Sequence, residues 1–142
     1  MAFYMGQKTD PKLLDRMERA VLTHMLRCEP DAALASQLAC AGLIRREFYG
    51  PHQISYFTVL PGALPAQRNT TVGGYTYAKL EGHRSPAAFT LHLDDSGWMS
   101  HLIAFMDDDS PWPEEITGFE VFSTKASVPP PAPSEEDLPT DG

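Results

Sequence analysis

The sequence predicts an α+β domain in which two N-terminal helices pack on an antiparallel meander sheet of five or six strands. Three observations indicate this class. Apolar residues recur at three- and four-residue spacing before Gly42, alternate with a period of two after it, and give way to prolines and acidic residues from residue 126. We therefore divide the 142 residues into one domain over residues 1–125 and a disordered, acidic, proline-rich tail over residues 126–142.

Both helices have recognisable ends. Asp10 can accept a hydrogen bond from the free amides of a first turn, and Pro11 suits the first helical position. The apolar stripe that follows predicts a helix over 11–27. Pro30 restarts a second helix that stops at Gly42. Because their connection is short, the two helices are expected to be neighbours.

The chain after Gly42 is rich in β-branched and aromatic residues, which is typical of strands. Short turns containing Gly, Pro and Asp separate the apolar runs, and such turns join antiparallel neighbours because a parallel crossover needs about a dozen residues or more. The predicted strands are Leu43 to Tyr49, Ile54 to Leu60, Val72 to Leu80, Ala87 to Leu93, Trp98 to Met106 and Ile116 to Phe122.

Composition excludes several classes of function. The chain has 19 Asp or Glu against 11 Lys or Arg, a formal net charge of −8, so a general basic field for nucleic acid is absent. No apolar run approaches the roughly 20 residues that a membrane span needs, and the start has no signal-peptide pattern, so we expect a cytoplasmic protein. Cys28 and Cys40 are too few for a disulfide framework and are expected to be reduced thiols.

The charge is divided unequally along the chain. Residues 1–84 carry a net charge of +3 and residues 85–142 a net charge of −11. Two interpretations stay open, either ordinary solvated turns, in which Asp is favoured, or an acidic surface that steers a basic protein partner. The acidic residues in the predicted turns are Asp94, Asp95, Asp107, Asp108, Asp109, Glu114 and Glu115.

The segment after the fifth predicted strand combines these acids with a tryptophan. Trp112 lies between two prolines, and such a rigid segment is expected to lay the indole on an apolar surface, either the core or a partner. Three consecutive aspartates lack the alternating spacing of a calcium loop, so no metal site is predicted there.

Motifs for catalysis are missing. The sequence contains no GxSxG, no glycine-rich phosphate loop and no SxxK, so we assign no catalytic residue and no cofactor, and a binding protein is favoured over an enzyme.

Two histidines nevertheless share a predicted sheet face. A hairpin closed at Asp95-Ser96 pairs His92 with Met99. The same register pairs His101 with Thr90, which makes the two imidazoles diagonal neighbours. They are interpreted as polar residues of the outer face, since a third zinc ligand at suitable spacing is lacking. The alternative is a ligand pocket between the helices and the sheet, lined by Tyr75, Tyr77, His92 and His101.

Three segments carry a resemblance to a known group. They are Leu38 to Gly50 (LACAGLIRREFYG), Ala87 to Leu93, and Trp112-Pro113. On these motifs the chain resembles, over residues 11–122, small bacterial proteins of unassigned function that share a helical start, an R-E-F-x-G strand and a late W-P pair. The resemblance implies no catalytic residue. Small acidic proteins of this kind are often neighbours or inhibitors of toxins, and the resemblance in this way implies an immunity-type role.

We therefore expect an acidic protein-binding module, an inhibitor or immunity-type protein that covers the basic site of a partner protein. One alternative is a small enzyme or ligand-binding protein with the pocket described above. Another is the subunit of a homo-oligomer, such as a homodimer, that buries the outer sheet face or Trp112 against a second copy. The predicted partner-binding residues are Asp94, Asp95, Asp107, Asp108, Asp109, Trp112, Glu114 and Glu115.

Overall fold

The structure, a computed structural model, describes residues 7–67 and 71–124, apart from the side chain of Tyr49. It contains two helices and one six-stranded antiparallel sheet, which confirms the predicted α+β class. The tail predicted over residues 126–142 lies outside the described residues. The elements are α1 (Pro11–Cys28), α2 (Ala32–Cys40), β1 (Ala41–Tyr49), β2 (His52–Val59), β3 (Thr71–Leu80), β4 (Ala87–Leu93), β5 (Met99–Met106) and β6 (Phe119–Ser123).

The order of the strands is β1-β2-β5-β4-β3-β6, so the predicted meander is wrong. Short turns do keep β1 beside β2 and leave β3, β4 and β5 as consecutive neighbours. The longer connections over residues 60–70 and 107–118 allow the chain to cross the end of the sheet, so that β5 pairs with β2 and β6 pairs with β3. Only short loops force sequential strands together.

The last strand begins later than predicted. Ile116 precedes β6, and its side chain is buried in the core at 2% exposure. Its backbone N–H donates to Thr9 Oγ1 at 2.8 Å, instead of to a neighbouring strand. The sequence pattern assigned Ile116 to the strand because it does not distinguish a strand residue from a buried apolar residue that precedes the strand.

Helix α1 supplies one side of the core. Asp10 caps it by accepting a hydrogen bond from the N–H of Lys12, as predicted. The buried stripe of the helix includes Met17, Val21 and Met25, which pack on the sheet against alternate residues of β3, β4 and β5. Amphipathic spacing thus fixes which face of α1 meets the sheet.

Among the described helices, none is both long and apolar enough to cross a membrane.

A buried ion pair links α1 to the sheet. Arg46 donates from Nε and Nη2 to the two carboxylate oxygens of Glu18, each at 2.9 Å, and Glu18 also accepts from Gln53 and Ser55. Burial works against the charge of Arg46, but the hydrogen bonds that it donates to Glu18 and Asp15, together with their negative charges, outweigh burial and raise its pKa. Both acidic partners of Arg46 therefore come from the helix and not from a neighbouring strand.

Candidate functional site

The strands carry a second set of side chains on the face of the sheet opposite the helices, which we call the open face. In β5, for example, Leu102, Ala104 and Met106 join the core. The residues between them point the other way, because successive side chains of a strand alternate. The open face includes Arg45, Glu47, His52, Ile54, Tyr56, Thr58, Thr71, Tyr77, Lys79, Ala88, Thr90, His92, His101, Ile103, Phe105, Glu120 and Phe122.

One row of the open face crosses five strands. Arg45, Tyr56, His101, His92 and Thr71 are direct cross-strand partners in that order. The Arg45 guanidinium lies 4.0 Å from the centre of the Tyr56 ring, a cation–π contact. The Tyr56 and His101 rings are 5.6 Å apart, and the two imidazoles stack at 4.7 Å with an interplanar angle of 1°.

The histidine pair results from a β-bulge that the sequence did not predict. A register shift between His92 and Leu93 makes Leu93 the partner of Met99. His92 therefore lies directly opposite His101, whereas the predicted register made the two diagonal neighbours. A bulge adds one residue to one strand, so it changes every pairing beyond it.

The environment favours the uncharged form of both imidazoles. Burial lowers the pKa of His92. Burial and the neighbouring His92 lower the pKa of His101, because two stacked imidazolium ions would repel each other. Ser100 Oγ lies 3.0 Å from Nδ1 of His101 and orients that ring. At neutral pH the centre of the open face is accordingly a pair of neutral, flat rings.

A second row gives the open face an apolar centre. The rings of His52 and Phe105 are 6.0 Å apart, and Tyr77 stacks on Phe122 at 5.4 Å. Ile54 is only 8% exposed although it does not belong to the core between helices and sheet. Its neighbours on the open face shield it from solvent, so this face combines apolar side chains with flat aromatic rings.

The acidic turns lie at the two ends of the sheet. Asp94 and Asp95 follow β4, and the aspartate loop (Asp107, Asp108 and Asp109) follows β5. Because β4 and β5 are antiparallel, these groups are at opposite ends, as expected. Glu114 and Glu115 are exposed on the same connection as the aspartate loop.

Some of these acids have a local structural role. Asp94 Oδ1 accepts hydrogen bonds from the backbone N–H groups of Ser96 and Trp98, and so closes its own turn. Hydrogen bonds from the side chain and backbone of Ser110 hold the pKa of Asp108 below its ordinary value. The solvated-turn interpretation therefore accounts for Asp94 and Asp108, and Ser110 holds the carboxylate of Asp108 in a defined position.

Trp112 lies in the core. Its side chain is 8% exposed and packs in the cluster between helices and sheet, and its backbone N–H donates to the Gly50 carbonyl at 3.2 Å. The prediction that Trp112 binds a partner is therefore wrong. Because the Trp112 side chain is anchored in the core, it fixes the connection over residues 107–118, which carries the aspartate loop.

The predicted ligand pocket does not form from the four residues assigned to it. His92, His101 and Tyr77 lie on the open face, away from the helices. Tyr75 donates its hydroxyl to Glu29 at 2.6 Å, beside the end of α1. One cleft between helices and sheet has a volume of about 320 Å³, and other residues line it, including Asp15, Leu22, Leu38 and Phe57. Within residues 7–67 and 71–124, no three metal-binding side chains come together.

Sequence reasoning missed several members of the open face. His52 was assigned to a turn because β2 was predicted to begin at Ile54, and Arg45, Tyr56, Phe105 and Phe122 were not singled out. Their positions in the alternating pattern could have identified them, because each occupies a strand position whose side chain points away from the core. Comparison with protein-family models, curated proteins and solved structures finds no match for this chain.

Proposed function

We propose that the protein is a protein-binding module whose contact surface is the open face. The observation that carries the proposal is a sheet face with an apolar and aromatic centre on the side away from both described helices. Buried interface cores are enriched in aromatic residues and arginine, and the open face carries both. Flat rings offer contact area at a low cost in conformational entropy.

The acidic ends of the sheet specify the chemistry of the partner. Asp94 and Asp95 lie beyond one end of the open face, and the aspartate loop lies beyond the other. A partner with an apolar patch between basic side chains would match both features, and its approach would be accelerated by long-range attraction. We infer an inhibitor or immunity-type role, in which this face covers the basic site of another protein.

The proposal includes a cytoplasmic location. Cys28 and Cys40 are not joined in a disulfide, which fits a reducing compartment.

The test begins with native mass spectrometry of the untagged protein from its own cells, followed by affinity measurements with the purified partner. Ile103→Lys puts a cation at the centre of the open face, and Ala35→Lys puts the same charge on the exposed side of α2 as a matched control. We expect Ile103→Lys to weaken binding by about tenfold or more, because it desolvates a charge and repels a basic partner, and Ala35→Lys to leave the affinity unchanged.

Three outcomes would overturn the proposal. A partner that binds folded Ile103→Lys as tightly as the wild type does not use the open face. A complex containing only copies of this chain would favour the homo-oligomer. A bound small molecule without a protein would favour the ligand-binding alternative.

A further inference from the structure

Helix α1 carries a basic groove on its solvent side, away from the open face. The groove lies between α1 and β6 and has a volume of about 430 Å³. It is lined by Arg16, Arg19, Arg27 and His24 of the helix and by Val121 of β6. The three arginines lie on one side of the helix because their positions repeat at near-helical intervals.

The arginines of this basic groove have no carboxylate partner among residues 7–67 and 71–124. The acidic residues of the same helix, Asp15 and Glu18, bond to Arg46 on another side of α1. Arg19 donates from Nη1 only to the Leu38 carbonyl, at 3.3 Å. In a chain with a net charge of −8, these three exposed arginines form a local excess of positive charge that an acidic segment would complement.

The described part of the chain ends beside this groove. Ser123, the last residue of β6, accepts a hydrogen bond from Cys28 Sγ at 3.4 Å, and Thr124 donates its N–H to the Tyr75 carbonyl. The chain therefore leaves the sheet at the C-terminal end of α1, close to Arg27. Residues 125–142 continue from this point, and they contain four acidic residues, Glu135, Glu136, Asp137 and Asp141.

The length of the tail suits the groove. Arg16 and Arg27 are about 16 Å apart along the helix axis at about 1.5 Å per residue. The segment from Thr124 to Glu135 can extend to about 34 Å at about 3.1 Å per residue, the rise of a polyproline chain. The acidic residues can therefore reach every arginine of the groove, with slack for a turn back along the helix.

We propose that the acidic segment over residues 135–137 docks into the basic groove of the same chain. Carboxylates accept charge-assisted hydrogen bonds from guanidinium groups, and these are stronger than neutral ones. The prolines before the segment limit the conformations of the linker, and tethering supplies an effective concentration in the millimolar range. Docking through charged groups does not require the tail to bury apolar residues. The docked segment would also shield the basic groove from acidic ligands in solution.

The first test compares two full-length variants that lose the same three charges. Glu135→Gln, Glu136→Gln and Asp137→Asn together neutralise the tail segment, and Asp107→Asn, Asp108→Asn and Asp109→Asn neutralise the aspartate loop. We expect the NMR signals of the Nε–H groups of Arg16, Arg19 and Arg27 to shift in the tail variant and to stay in place in the loop variant. The wild-type signals should move toward those of the tail variant in about 1 M NaCl, where the Debye length is about 3 Å.

The second test adds a synthetic peptide of residues 126–142 to the same full-length proteins. The peptide should bind the tail variant at least about tenfold more tightly than the wild type, whose own tail competes for the groove. Replacing Arg16, Arg19 and Arg27 by Gln in the tail variant should abolish this binding.

Identical arginine signals in the wild type and the tail variant would overturn the proposal. Equal peptide binding by the two proteins would overturn it as well. Arginine shifts that depend on protein concentration would assign the docking to a second copy and contradict the intramolecular form.

Discussion

His92 and His101 stack at the middle of the open face. Folding changes the pKa of both imidazoles, so their protonation is coupled to the stability of the fold. Their pKa values lie below the ordinary value near 6.5, because the folded state favours the neutral imidazoles. As the pH falls through about 6.5, the unfolded chain takes up protons before the folded one. This contribution to the free energy of unfolding is therefore complete above that pH and decreases on acidification.

We expect the urea midpoint of the wild type to fall between about pH 7 and pH 5 by more than that of His92→Gln/His101→Gln, measured by circular dichroism. His83→Gln is the control, because His83 is exposed and outside the stacked pair. Carboxylates titrate in all three proteins, so the difference between them isolates the pair. Equal pH dependence in the double variant and the wild type would contradict the prediction.

Residue identity alone did not decide how individual side chains are used. The sequence showed that Trp112 must lie on an apolar surface, and it left core and partner as alternatives. The structure puts the indole in the core, because the connection over residues 107–118 passes close to Gly50 and Thr9. That proximity joins parts of the chain far apart in sequence, which no local pattern reports.

At the scale of elements, the turn between β4 and β5 controls the register of the histidine pair. Gly97 has φ of 86°, and its carbonyl accepts hydrogen bonds from Ala66 N–H and from Gln37 Nε2. A Cβ on Gly97 would lie 2.1 Å from the Ala66 carbonyl oxygen. Gly82 has a similar φ of 82°, but a Cβ on Gly82 would have no neighbouring atom within 4 Å.

These two glycines make a matched pair of substitutions. Gly82→Ala should cost about 1 kcal/mol, the price of a left-handed backbone for an L-residue. Gly97→Ala should cost at least about 3 kcal/mol more, because it also forces the loop around Ala66 away from α2. Urea unfolding of both variants measures the difference. Similar losses would mean that the turn relaxes without disturbing its neighbours.

Periodicity predicted the type of each element and most of the element ends to within about one residue. The helical stripe of α1 is buried as expected. The errors fall where tertiary contacts replace local ones. Ile116 is buried without being in β6, and the β-bulge after His92 moves the register that the turn residues suggested.

For the whole molecule, the aspartate loop should act on the rate of association with the proposed partner. Asp107→Asn/Asp108→Asn/Asp109→Asn is expected to lower the association rate about tenfold at low salt, flatten its salt dependence and leave the dissociation rate nearly unchanged. Stopped-flow mixing measures both rates. The tail variant described above is the control, since it removes three charges elsewhere. An association rate that stays at the wild-type value would exclude a steering role for the loop.

The sequence by itself determined the α+β class, the two helices, the six strands and the positions of the acidic turns, because periodicity and turn chemistry act over a few neighbouring residues. Only the tertiary structure decided that β2 pairs with β5, that Glu18 meets Arg46, and that Arg45, Tyr56, His101 and His92 form one row. The physical reason is that long connections leave strand order free until side chains compete for the same core. Register then follows from packing and bulges between segments that are distant in sequence.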